Sequence, residues 1–388
     1  MDFELSETQA AVVAAARAFA TEKVAPAAAE NDRKGRFPED LVRELGALGL
    51  LAVNVPSAYG GSEAGAVAYA LAVMELAAAD GSVSVTMAVT NMVAETVARF
   101  GTEAQKQRCL PRLASAEWLA GAFGLSEPQA GSDVSALSTR AERRGDRWVL
   151  NGAKQWITSG DRAGVVVVWA RTDPAAGTRG LTAFLVEGGT PGLVVGRHEE
   201  KMGLRASSTV ALAFEDCEVP EAAVLGQVGG GFRVALTALD GGRIGIAAQA
   251  TGTIRAALDA SVRYAKERHA FGKAIADFQA VSFALADMRT AHDASWLLTL
   301  RAAARKEAGK PFTREASMAK LFAAEAAQKA ASQGVQIHGG YGYIDEFPVE
   351  RYFRDARVQT IYEGTSEVQR LVIVRELLAA DDLGRGRG

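Results

Sequence analysis

Apolar residues recur every three to four positions over the first third of the chain. Ser6-Glu7-Thr8-Gln9 has the spacing of a capping box, and Val12, Val13, Ala16, Phe19 and Ala20 follow at helical intervals. Pro38 suits a first helical position ahead of Leu41, Val42 and Leu45. Residues 54–65, rich in Gly, Pro and Ser, read as a loop. Helical spacing resumes near Val67 and runs, with breaks, to about Leu119.

The period changes near residue 121. Trp148-Val149-Leu150, Asn151-Gly152 and Gln155-Trp156-Ile157 spell apolar runs around a hairpin signal. Residues 165–170 and 181–186 read as strands, and Val210, Leu212 and Phe214 alternate with smaller residues. Short strands without intervening helices indicate an antiparallel barrel or sandwich rather than βαβ units. From about residue 233 helical spacing returns, with segments at 244–266, 279–308, 318–333 and 365–378. The Gly-Arg tail, 384–388, carries no packing signal. The expectation is an α+β chain in three domains: helical over 1–120, an antiparallel β-barrel over 121–232, and a four-helix bundle over 233–388.

Composition narrows the function. In 388 residues, 48% are hydrophobic and 23% charged, which is ordinary for a globular protein. Lys and Arg number 43 against 46 Asp and Glu, so the formal net charge of -3 offers no global attraction to nucleic acid or an anionic membrane. Two isolated cysteines, Cys109 and Cys217, have no disulfide framework or metal-ligand spacing, and no metal is expected. The acidic start has no signal- or transit-peptide pattern, and the apolar run at 165–170 is too short to span a bilayer. A cytoplasmic protein without membrane insertion is expected.

Five segments carry candidate chemistry. Phe123-Gly124-Leu125-Ser126-Glu127-Pro128-Gln129-Ala130-Gly131-Ser132 combines small residues with hydroxyls, so its backbone can approach a phosphate or a ring edge; alone it also reads as a polar turn. Trp156-Ile157-Thr158 can cover a ring system and hydrogen-bond its rim, or sit in a core. Arg268 with Phe271, Gly272 and Gln279 can grip a diphosphate, or simply end a helix. Gln336-Ile337-His338-Gly339-Gly340 is Gly-rich but follows no strand, so it is not a Rossmann fingerprint. Tyr362-Glu363-Gly364 precedes Ser366 and Gln369, which have capping-box spacing, and places a carboxylate just outside a helix. Partial desolvation there would raise its pKa toward that of a useful base.

These segments, in this order, resemble the acyl-CoA dehydrogenase family, most closely its short-chain and butyryl-type members. Gly124 to Ala136, Gln336 to Glu346 with Arg351 to Asp355, and Lys201 to Thr209 match family stretches. The resemblance implies a helical domain, a β-barrel-like domain and a second helical bundle. It implies FAD lined by Phe123, Leu125, Ser126 and Ser132 and covered by Trp156, Ile157 and Thr158. Arg268, Phe271, Gln279 and Gln336 to Gly340 would contact the dinucleotide half, with Arg268, Phe271 and Gln279 coming from a neighbouring subunit. Thr365, Ser366 and Glu367 would also touch FAD. Ser132, Asp240, Gly241, Gly242, Arg243 and Gly364 would meet the acyl-CoA. Glu363 would take the α-proton while the β-hydride passes to flavin N5, its backbone N–H and a ribityl hydroxyl holding the thioester carbonyl. Some relatives carry the base at the position of Gly242, which here has no carboxylate. Glutaryl-type relatives carry an Arg where this chain has Val83, so a dicarboxylyl substrate is disfavoured. A homotetramer and an electron-transfer flavoprotein as acceptor are further implications. Kept open are an acyl-CoA oxidase, a dehydrogenase of carrier-protein-bound acyl groups, and an idle flavin-bearing binding protein.

Overall fold

The structure is a computed structural model that describes residues 4–379. The Gly-Arg tail and the first three residues lie outside that range. Six helices come first: α1 (Glu7–Phe19), α2 (Ala25–Lys34), α3 (Glu39–Ala47), α4 (Gly65–Ala79), α5 (Gly81–Phe100) and α6 (Glu103–Ala114). The expected capping box forms at Ser6 and Gln9, and a second forms at Thr102 and Gln105. Pro38 stands at the cap of α3, one position before its first helical residue. Asp80 caps α5 through the Ser82 amide, and nearly the whole of α5 is buried.

Eight strands follow: β1 (Ala120–Gly124), β2 (Arg140–Arg144), β3 (Arg147–Thr158), β4 (Ala163–Arg171), β5 (Leu181–Glu187), β6 (Leu193–His198), β7 (Thr209–Pro220) and β8 (Val224–Leu225). They form one sheet in the order β6-β7-β3-β2-β4-β5-β8, with β1 beside β4. This differs from the expected antiparallel barrel in two ways. β1 arrives from the helices and runs parallel to β4, and β6 and β8 end the sheet without pairing to each other. Along β4 both faces are buried. Val165, Val167 and Trp169 pack toward the helices, while Val166, Val168 and Ala170 pack against Trp148, Leu212 and Phe214 within the sheet. That double burial is why 165–170 reads as an unbroken apolar run.

The expected Asn-Gly hairpin is not there. β3 continues straight through Asn151 and Gly152, and the reversal between β2 and β3 is the two-residue turn Gly145-Asp146. Gly152 marks a register shift against β7, and a Cβ there would lie 2.6 Å from the Thr139 hydroxyl. Its glycine thus serves a bulge and a close approach rather than a turn.

The last third holds α7 (Gly231–Glu267), a small hairpin of β9 (His269–Ala270) and β10 (Lys273–Ala274), then α8 (Gln279–Glu307), α9 (Thr313–His338), α10 (Val349–Ala356) and α11 (Ser366–Ala379). α7, α8, α9 and α11 are the four long helices, with α9 in contact with the other three. One core cluster runs from Phe19 and Leu45 through Leu76 to Ile254, Ala302 and Ala323, so the two helical regions share a single interior. Among the described residues, no helix is long and apolar enough to cross a membrane.

Candidate active site

Glu363 lies in the short loop between α10 and α11. Glu363 and Gly364 both adopt left-handed backbone, with φ of 53° and 85°. That pair of residues reverses the chain and turns the Glu363 side chain inward, a conformation a non-glycine residue adopts only when its surroundings hold it. They do so here. Gln369 donates to the carbonyls of Glu363 (3.1 Å) and Gly364 (2.9 Å), and Lys320 Nζ donates to the Gly364 carbonyl at 2.7 Å. The cap of α11 is Thr365, whose hydroxyl accepts the Val368 amide. The expected box on Ser366 is therefore out by one residue, because Gln369 is committed to the carbonyls before the helix.

Glu363 Oε2 is buried without a hydrogen-bond partner, and so is Ser366 Oγ. Burial pushes the Glu363 carboxyl up to about 7, against the pull of the Lys320 and Arg243 charges. Lys320 is fully buried and its own pKa is pushed down to about 8. Among the described residues, the Glu363 amide donates to no backbone carbonyl.

Facing the carboxylate is α7. A Cβ at Gly242 would sit 2.7 Å from Glu363 Oε2 and 2.8 Å from Met92 Sδ. At Gly245, one turn on, it would meet the Tyr69 hydroxyl at 2.5 Å. At Gly241 it would lie 3.4 Å from Lys306 Nζ. Glycines at these positions let Glu363, Met92 and Tyr69 approach the α7 backbone more closely than any side chain would allow. Met92 belongs to a buried apolar cluster with Val85, Val89, Leu204 and Ala238, on which Phe123, Val358 and Tyr362 pack. Phe123 and Tyr362 in one cluster bring the β1 turn and the base loop together. Asp240 and Arg243 turn the other way: Arg243 Nη1 lies 2.5 Å from Asp240 Oδ1, and Thr313 donates to Asp240 Oδ2. Arg243 bears on the base through its charge. Val83 is fully buried, so no cation stands at that place.

The turn after β1 lies against the end of β3, where the Gln155 amide donates to the Ser126 carbonyl at 2.9 Å. Trp156 follows with φ of 63° and a 62% exposed side chain. Ile157 turns its side chain into the sheet core, leaving its backbone to the site, and Thr158 is half-buried. Leu125 is buried, Ser126 half-buried and Ser132 exposed.

A separate cavity of about 460 Å³ is lined by Arg268, Ile337, His338, Gly339, Gly340 and Tyr341, among others. Arg268 lies over the Tyr341 ring at 5.6 Å. His338 is a structural group: its Nδ1 pairs with the Gly334 carbonyl at 2.8 Å and its ring stacks on Tyr264 at 4.3 Å. Gln336, Gln279 and Glu367 are exposed. Phe271, at the tip of the β9–β10 hairpin, is 96% exposed at φ 53°. Among the described residues no hydrogen bond, ion pair or ring contact joins this cavity to Trp156.

Sequence reasoning missed Lys320 and Tyr69, while Met92 falls in the 81–93 stretch, whose side chains read equally as acyl-pocket lining or helix core. Lys320 left no signal beyond a cation in an Ala-rich helix that also carries Arg314 and Lys329, and Tyr69 read as ordinary core. The residues fit FAD. The exposed indole of Trp156, the unpartnered Ser366 hydroxyl and the open space where side chains would stand at Gly131, Gly339 and Gly340 provide a ring cover, a hydrogen bond and room for backbone approach.

Comparison with known proteins agrees along the whole chain. Family models described as acyl-CoA dehydrogenase N-terminal, middle and C-terminal domains match residues 6–117, 122–217 and 229–378. A short-chain specific acyl-CoA dehydrogenase from Rattus norvegicus is 47% identical over 376 residues, covering 97% of this chain and 91% of that protein. The three-dimensional structure of butyryl-CoA dehydrogenase from Megasphaera elsdenii superposes with a TM-score of 0.95 at 44% identity, covering 97% and 100%. A chain solved in work on the electron transferring flavoprotein of Acidaminococcus fermentans gives 0.96 at 44% identity, covering 98% and 100%.

Proposed function

This chain belongs to the acyl-CoA dehydrogenase family of FAD-dependent oxidoreductases, and from that premise we propose that it dehydrogenates a short or medium acyl-CoA thioester to the trans-2-enoyl-CoA with Glu363 as the α-proton base. The observation that carries this reading is the Glu363 carboxylate: buried, unpartnered at Oε2 among the described residues, poised near neutral pH, and set against a glycine of α7 that leaves it room.

An α-C–H beside a thioester is a weak acid, so a base needs help from donors that stabilise the charge developing on the carbonyl oxygen. The Glu363 amide, free of backbone acceptors, supplies one such donor next to the carboxylate. FAD, when bound, supplies the two-electron acceptor that removal of the β-hydrogen requires. Phe123, Leu125, Ser126, Ser132 and the Trp156–Thr158 stretch hold its ring side, with Thr365 to Glu367 beside them. Arg268, Phe271, Gln279 and Gln336 to Gly340 serve its dinucleotide side across a subunit boundary. The projecting Phe271 and the exposed Phe283 and Leu371 support a homotetramer. An electron-transfer flavoprotein is the acceptor we propose.

Met92 and, one turn of α7 further on, the Tyr69 hydroxyl pack tightly against the helix beside Glu363, which leaves little length for an acyl chain along it. Without a cation at Val83, a terminal carboxylate has no partner there. Anaerobic titration of the FAD-loaded protein with acyl-CoAs of increasing length tests the reading. Butyryl-CoA-sized substrates should bleach the flavin band fastest, and long or dicarboxylyl chains should bleach it slowly. No bleaching by any acyl-CoA would overturn the reading.

A further inference from the structure

One buried ion pair takes no part in the chemistry above. Lys154 Nζ lies 2.7 Å from Glu127 Oε1, and both residues are within 2% of full burial. Glu127 belongs to the turn after β1, and Lys154 stands two residues before Trp156 on β3. A charge in such a place costs folding free energy unless its hydrogen bonds are met. Here the carboxylate is saturated. Oε1 also accepts the Thr139 amide at 3.0 Å. Oε2 accepts the Ser138 amide at 2.7 Å, the Ser138 hydroxyl at 2.9 Å and Gln129 Nε2 at 2.6 Å. Lys154 also donates to the Leu125 carbonyl at 3.3 Å. The Glu127 backbone exchanges two hydrogen bonds with Ala130, at 2.9 and 3.0 Å, closing the turn. The pair therefore binds three segments to one point: the turn from Leu125 to Ala130, the stretch at Ser138 and Thr139, and the β3 end that carries Trp156.

We propose that Glu127 and Lys154 are a positioning pair that sets the distance between the Leu125–Ser132 turn and the Trp156–Thr158 stretch, and so the width of the slot that receives the flavin ring. This rests on the reading of those two segments as the FAD site. Neither side chain needs to touch the flavin. A purely structural pair would be worth fold stability alone; a positioning pair also governs affinity and the environment of the ring. An ion pair suits that task, because five donors, the Lys154 ammonium among them, converge on one carboxylate and hold the three segments together.

The test uses the full chain stripped of flavin and retitrated with FAD, with E127Q/K154M treated alike. Removing both charges together leaves no lone buried charge. The double variant should melt cooperatively, bind FAD roughly tenfold or more weakly, the scale of lost charge-assisted hydrogen bonds, and show a changed shape of the bound flavin's visible band. S138A removes one donor to the carboxylate and leaves both charges paired, and should weaken FAD by about threefold, a fraction of one charge-assisted hydrogen bond. A double variant that melts cooperatively with unchanged FAD affinity and spectrum overturns the positioning role and leaves the FAD site standing. If the double variant does not fold, unchanged affinity in S138A overturns it. Wild-type protein that takes up no FAD overturns the site and the pair together.

Discussion

A carboxylate serves as a base near neutral pH only when its charged form is held at a disadvantage. At Glu363 burial provides that disadvantage, and Lys320 and Arg243 limit it. As the proposed base, Glu363 must be deprotonated, so kcat/KM should rise with pH through about 7 and then level. Lys320 stabilises the charged form, so Lys320→Met should move that rising limb to higher pH while FAD stays bound. A limb that keeps its place would show that the Lys320 charge does not reach the base. The left-handed backbone of Glu363 shows the same economy: the strain is local, and Gln369 and Lys320 hold the loop that bears it.

At the scale of elements, α7 lets α5 and the Glu363 loop come close through the side chains it lacks. A methyl at Gly242 would press on Glu363 Oε2 and Met92 Sδ, both ends of flexible side chains. Gly242→Ala should therefore cost about 1–3 kcal/mol of stability at most, yet lower kcat by displacing the carboxylate; kcat and the melting midpoint measured side by side separate the two. A variant with unchanged kcat would show that Gly242 does not set the place of the carboxylate. The elements also show what the sequence could reveal. The long helices were legible because apolar residues recur along them at helical spacing, and the Val-rich strand β4 because burial on both faces makes it one short unbroken apolar run. The Asn151-Gly152 signal misled because a bulge uses the same residues as a turn, while the true reversal at Gly145-Asp146 is flanked by arginines rather than apolar runs. Ser366 resembled a cap because Gln369 stands at the right spacing, but tertiary contacts had claimed that amide. Lys320 and the Glu127–Lys154 pair were invisible as a site because their partners are 27 to 44 residues away in sequence. The segments around Glu363 became readable together through family resemblance, not through any one local pattern.

At the scale of the molecule, three regions meet at Asp355. Its Oδ1 accepts the Leu204 amide from the β6–β7 connection at 2.6 Å, and its neighbour Arg354 pairs with Asp32 of α2 at 2.7 Å. Burial, with Asp80 and Asp32 nearby, pushes the Asp355 carboxyl up to about 7. The folded pKa thus lies above the ordinary carboxylate value, so the stability tied to this group is full below about pH 4 and lost as pH rises toward 7. Asp355→Asn keeps an oxygen for the Leu204 amide and cannot ionise. Its stability relative to wild type, read from the melting midpoint, should climb between pH 4 and 7, by an amount on the order of a few kcal/mol at most; a difference flat in pH would contradict the assignment. The proposed function makes the Glu363 carboxylate the point on which the whole chain's activity depends. The most direct test compares wild type with Glu363→Gln in a single anaerobic turnover with butyryl-CoA, following the flavin band. The variant should hold FAD and still bind the thioester, with bleaching slowed by roughly 10²–10⁴ or more. Bleaching by the variant at near the wild-type rate would contradict the account.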